Sequence, residues 1–280
     1  MSWEPQQYEP LTPPPAPEPP GPGPVQQPQH WLKRLLAPVA GVGLLIWKLI
    51  GPLFLALKNF KFLATSATFL VSLGAYTSIW GWRFALGFMV LLFVHEMGHV
   101  IQLRREGVPA SAPMFVPFLG AFVGMKELPH NAWMEAKVGL AGPVLGTAGS
   151  LVCLAVAEQT GSDLLRAIAY TGFFLNLINL IPVLPLDGGR AAAAFHPAFW
   201  FVGVFVVALL FFWHPNPLVA VIALLGGYEL FHRWGKRNDP QWKAYNATTW
   251  GQRVAVGVVY LGLIAVLVVA MEVSYLHRTF

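Results

Sequence analysis

Seven long apolar runs recur along this chain, at about residues 62–80, 84–103, 138–158, 165–186, 197–213, 216–232 and 254–274. A run of roughly 17–25 apolar residues is what a helix needs to cross a bilayer. The rest of the composition leaves no room for a water-soluble alternative. Of 280 residues, 56% are hydrophobic and only 11% are charged, whereas a soluble domain carries about a quarter charged residues. The runs therefore predict an all-α polytopic membrane protein with about six or seven transmembrane helices.

Charge placement orients those helices. Alternate loops divide the lysines and arginines sharply: Arg83, Arg166 and Arg278 fall on one side. The other side receives Lys58, Lys61, Arg104, Arg105, Lys126, Lys137, Arg190, Arg233, Lys236, Arg237, Lys243 and Arg253. The basic side is expected to be cytoplasmic, with the N-terminus on it and the C-terminus opposite. The Ala-, Gly- and Pro-rich composition suits a bacterial cell membrane. The net charge of +5 does not point to nucleic acid, because the basic residues form no patch interleaved with aromatics. Cys153 is the single cysteine, so no intramolecular disulfide can form.

Three segments are not simple spans. Residues 1–30 are acidic and proline-dense and cannot bury enough surface to fold; they predict a disordered cytoplasmic tail, with docking to a proline-reading partner as the functional alternative. Residues 31–61 contain an apolar stretch, 35–57, broken by Gly51-Pro52. It is expected to lie in the interface or to cross with a kink. Between Arg105 and Lys137 runs VPASAPMFVPFLGAFVGM, apolar but too short to cross. Its Pro and Gly content predicts a re-entrant β-hairpin or loop between the second and third spans, buried in protein or lining a wet cavity, or else an interfacial loop. Residues 233–253 form a cytoplasmic connection, and 254–280 a last transmembrane helix with a short tail.

The second span carries HEMGH, residues 95–99. Histidines four positions apart on a helix project from one face, so His95 and His99 can reach one tetrahedral zinc ion, Zn2+. Glu96 lies beside them, placed to contact water at the metal. Three ionisable groups in five positions are costly inside a membrane and persist there mainly for function. Gly98 keeps the helix surface open next to them.

Two histidines do not complete a site, since a catalytic zinc has three protein ligands and an open position. Glu158 and Glu272 fall on the outer side, at the wrong depth. Asp187 ends an inward-running span and is the favoured third ligand, with Glu229 as runner-up. Asp187 sits in LNLINLIPVLPLDGGR, residues 175–190. Pro182 and Pro185 end or kink a helix, while Gly188 and Gly189 permit a tight turn and close backbone approach. Asn179 puts an amide on the same span; it can hold a substrate carbonyl or make an interhelical hydrogen bond.

HEMGH followed about ninety residues later by NLIPVLPLDGG resembles the site-2 protease family of intramembrane zinc metalloproteases. Asn179, Pro182, Pro185, Asp187 and Gly188 fit every position of that family's second motif. The resemblance implies His95, His99 and Asp187 as zinc ligands, Glu96 as general base and Asn179 as the residue positioning the substrate carbonyl. AGPVLG, with Gly142 and Pro143, is similar to the family's intervening small-residue motif, where helices pack closely. The family's re-entrant β-structure would fall at about 108–126, and residues 62–232 would be the membrane-embedded protease core. No segment is long enough for the PDZ or CBS modules that many relatives carry. The implied activity is zinc-dependent hydrolysis of a peptide bond in or near a transmembrane segment of a membrane-protein substrate. The competing expectation is a zinc-binding adaptor or transporter without proteolytic activity; hydrolysis of a non-peptide substrate also stays open.

Overall fold

In a computed structural model of the chain, residues 61–118, 120–124, 129–195 and 198–276 are described. The expected tail at 1–30, the segment at 31–60 and Lys126 lie outside them. The order is α1 (Lys61–Trp80), α2 (Trp82–Arg105), β1 (Met114–Val116), β2 (Gly120–Phe122), α3 (Ala132–Thr160), α4 (Asp163–Asn179), α5 (Asp187–Ala192), α6 (Phe199–Trp213), α7 (Pro217–Gly235), α8 (Pro240–Tyr245) and α9 (Trp250–Ser274).

Each of the seven apolar runs contains a helix, and their ends follow local chemistry. Gly81, at φ +80, separates α1 from α2. The Asn131 side chain accepts the Met134 N–H at the start of α3. Gly161 ends α3 in the left-handed region, where glycine carries no Cβ penalty. Thr249 and Gln252 form a reciprocal capping box on α9. The run at 165–186 is shorter than expected: α4 stops at Asn179, and residues 180–186 turn irregularly around Pro182 and a cis Leu184–Pro185 bond. Proline withholds the N–H that would continue the helical ladder.

Among the described residues three helices, α2, α3 and α9, are long and apolar enough to cross a membrane; six or seven crossings were expected for the chain. Only 17% of the apolar stretch of α9 is covered by the rest of the protein, and Val258, Leu261 and Val269 are exposed along it. A helix apolar on all sides and left uncovered belongs in lipid. The segment after α2 is an antiparallel hairpin, with Met114 opposite Phe122 and Val116 opposite Gly120. It is held to α1 through Phe115, which meets Phe69 edge-on at 5.2 Å, and through the Phe118 N–H donated to Tyr76 Oη at 3.1 Å; Phe93 of α2 stacks on Phe115 at 6.4 Å.

Small residues set the helix spacing. A Cβ on Gly98 of α2 would fall on the Ala141 carbonyl of α3, so these two backbones touch. Gly139 of α3 lies against the Asp187 carbonyl of α5, and Gly188 lies against the Leu180 carbonyl. Close approach through small residues is how helices associate where lipid removes the usual hydrophobic drive. Here it draws α2, α3 and α5 around one point.

Candidate metal centre

His95, Glu96 and His99 are all buried on α2. His95 Nδ1 lies 2.8 Å from Asn176 Oδ1, and the Asn176 amide is oriented by donating its Nδ2 to the Gly172 carbonyl at 2.7 Å. His99 Nδ1 lies 2.8 Å from the Val138 carbonyl. Both partners are acceptors, so each Nδ1 carries the proton and each Nε2 is left with a lone pair. Fixing the tautomer from the far ring nitrogen is the usual support for a metal-binding histidine.

The two Nε2 atoms face each other at 3.3 Å. Asp187 Oδ2 completes a triangle, 3.0 Å from His95 Nε2 and 3.3 Å from His99 Nε2. Three lone-pair atoms converging without a proton between them repel unless a cation joins them. Zinc bonds of about 2.0–2.2 Å in tetrahedral array separate neighbouring ligand atoms by roughly 3.3 Å. The donor set therefore fits zinc in both chemistry and spacing, and among the described residues it is the group of ligating side chains close enough to hold a metal.

Glycine lets α3 pack directly on the two imidazoles. A Cβ on Gly142 would collide with the imidazoles of both histidines. Pro143 follows inside α3, and lacking an N–H it frees the Gly139 carbonyl from the helix ladder. Glu96 makes no hydrogen bond or ion pair among the described residues, and its electrostatic neighbours are His95, Asp187 and Arg190. Its carboxylate thus stands beside the triangle with no protein group to satisfy it among the described residues, placed to contact water at the metal.

Asp187 is the first residue of α5. Gly188 and Gly189 pack against the backbone of the 180–186 turn, and Trp200 Nε1 donates to the Gly189 carbonyl at 2.8 Å. The Tyr260 hydroxyl of α9 donates to the Leu180 carbonyl. The acidic residue is thus set on a braced turn rather than a free loop.

Two of the following placements, Asn176 and Trp200, were not expected, whereas Glu229, the runner-up for the third ligand, pairs with the arginine that flanks it. Asn176 supports His95, a role the sequence assigned to no residue; Asn179 is the partly buried last residue of α4. The signal was the repeated amide in NLINL, one turn earlier on the same span. Trp200 gave no sequence signal. Glu229 is not at the metal group: its Oε1 accepts from Arg233 Nε at 2.8 Å. Arg233 also grips Glu135, at 3.2 and 3.4 Å, and Glu135 accepts from Tyr245 Oη at 2.8 Å. Burial first, and then the Glu135 carboxylate, push the Tyr245 phenol well above its ordinary range.

Residues 83–168, which include HEMGH and Gly142-Pro143, match peptidase family M50. That stretch of the chain is similar to the family. Among similar proteins, a zinc metalloprotease of Methanocaldococcus jannaschii is 32% identical over 114 residues, covering 38% of this chain and 33% of that protein. Rip3 of Mycobacterium tuberculosis is 28% identical over 138 residues, covering 44% and 34%. The chain spans about a third of the length of these curated relatives. The solved site-2 protease from Methanocaldococcus jannaschii is 20% identical with a TM-score of 0.40, over 77% of this chain and 92% of that one. The family match stops before Asn176 and Asp187. The convergence of His95 and His99 with these two residues is a property of the fold described above.

Proposed function

We propose that this chain is an integral-membrane zinc metalloprotease that hydrolyses a peptide bond in or near a transmembrane segment of a membrane-protein substrate. The observation that carries this reading is the His95–His99–Asp187 triangle beside the buried carboxylate of Glu96, which lacks a hydrogen-bond partner among the described residues. A zinc binder with no hydrolytic task has no use for that carboxylate.

In this reading His95, His99 and Asp187 hold the zinc ion. Bound there, zinc supplies a Lewis acid that polarises a carbonyl and brings the pKa of water down to about 7. Glu96 takes the proton from the attacking water as its oxygen bonds to the scissile carbonyl carbon. As the C–N bond breaks, Glu96 delivers that proton to the leaving amine. Asn179 orients the scissile carbonyl, while Asn176 and the Val138 carbonyl keep both imidazoles in the ligating tautomer. Substrate amides are hidden in a helix, so the substrate must first unwind. The hairpin at 114–122 offers a strand edge with which an unwound segment can pair. Arg104 and Arg105, in the last turn of α2, favour a site close to the cytoplasmic face, where water is available.

The test is Glu96→Gln in the full chain. Cleavage of a membrane-protein substrate is expected to fall at least about 100-fold, while zinc content stays near one per chain. Undiminished cleavage by this variant would remove the proposed mechanism.

A further inference from the structure

A second feature lies away from the metal centre, where the ends of α7 and α9 meet the connecting helix α8. A hollow of about 360 Å³ opens there, bordered by Phe195, Trp234, Arg237, Trp242, Lys243 and Arg253 among others, with no carboxylate in its lining. Three cations converge on it, Arg237 from the turn after α7, Lys243 from α8 and Arg253 from the first turn of α9. Among the described residues none of the three is ion-paired.

The acidic groups nearby are engaged elsewhere. Glu229 and Glu135 are bound to Arg233, and Asp239 caps α8 by accepting the Gln241 N–H at 2.8 Å. From residue 229 to 253 the chain has five lysines and arginines against two carboxylates. The two guanidinium groups are also held in place. Arg237 lies over the Trp234 ring at 5.1 Å and donates Nη1 to the Trp234 carbonyl at 3.1 Å. Arg253 donates Nε to Thr248 Oγ1 at 2.9 Å. Each keeps further N–H donors for an anion, and a guanidinium fork suits phosphate oxygens. Trp242 Nε1 and Asn246 Oδ1, on residues of the same wall, are buried without a partner among the described residues.

Depth identifies the source of the anion. Arg253 is the last charge before residues 254–271, which contain none, in a helix long and apolar enough to cross a membrane. Trp250, one turn earlier, is exposed, as interfacial tryptophans are. The hollow therefore lies at headgroup level, and basic pockets between membrane helices at that depth hold anionic headgroups. Its apolar members, Phe195 and the tryptophan rings, suit the glycerol end of a lipid. We infer that this hollow is a binding site for the phosphate of an anionic phospholipid headgroup. The site is independent of the peptidase reading.

Native mass spectrometry of the full chain in detergent tests it, using phosphatidylglycerol and phosphatidylcholine of equal acyl length, with inorganic phosphate as competitor. One phosphatidylglycerol per chain is expected, retained at least about 10-fold better than phosphatidylcholine. The combined Arg237→Gln, Lys243→Gln, Arg253→Gln variant should lose that preference. Arg104→Gln, Arg105→Gln, Lys236→Gln, which removes equal charge outside the hollow, should keep it. Displacement by inorganic phosphate at equal concentration would overturn the lipid assignment in favour of a soluble phosphate. Equal retention of both lipids by the wild-type chain, or equal loss in the two variants, would overturn the site.

Discussion

Two clusters of polar and charged side chains among the described residues, each with a buried member at its centre, are built on opposite rules. In the cluster of Glu135, Arg233, Glu229 and Tyr245, every charge meets its complement: Arg233 binds both carboxylates, Tyr245 donates to Glu135, and the guanidinium lies over Trp200 at 4.9 Å. It needs nothing further, and it ties the start of α3 to α7 and α8. In the cluster of His95, His99 and Asp187, three lone pairs face one another, and a fourth group, Glu96, has no hydrogen bond among the described residues. A closed set of pairs braces a fold. A set of acceptors with no donor is arranged for something it does not itself contain, here a cation and the water beside it.

Mutations should separate the two. Asp187→Ala removes one of three metal ligands, and the largest effect is expected there: the purified chain should lose zinc under dialysis conditions that leave the wild type loaded. Retained zinc would mean that the triangle is not the metal site. Arg233→Ala should act on stability instead, because it strands two carboxylates. A loss of about 3–5 kcal/mol is expected, seen as a lower unfolding temperature, with zinc per chain unchanged. Loss of zinc from a still-folded Arg233→Ala chain would erase the contrast between the clusters. Asn176→Ala leaves all three ligands in place and removes only the acceptor at His95 Nδ1. Zinc affinity should weaken by about 10–100-fold, measured by competition with a chelator, and an unchanged affinity would deny Asn176 its supporting role.

How far the sequence led depended on the range of the interaction. HEMGH was legible because its spacing is local: one helical turn decides that both imidazoles share a face. Asp187 was legible from depth, since a charge ending an inward-running span can meet the basic end of α2. Asn176 lay inside the quoted NLINL segment yet was passed over, because which of two amides faces His95 depends on the rotation of α4 against α2. Trp200 and the Arg233 cluster depend on contacts between residues about ten to a hundred positions apart, and no periodicity records those. Prolines and glycines predicted a re-entrant hairpin or loop, or an interfacial loop, and the β-structure was implied only by the family resemblance. The number of crossings was not resolved by hydropathy, because an apolar run can be a short helix, as at Phe199–Trp213, or can end in a turn, as at Asn179.

The central claim is that two imidazoles from one helix and a carboxylate from a distant turn hold one zinc ion. Zinc-edge X-ray absorption on the zinc-loaded full chain tests it directly. The account predicts two imidazole nitrogens at about 2.0–2.1 Å with oxygen at about 2.0–2.2 Å and no sulfur. A sulfur scatterer at about 2.3 Å, which would bring in Cys153, or fewer than two imidazoles, would contradict it.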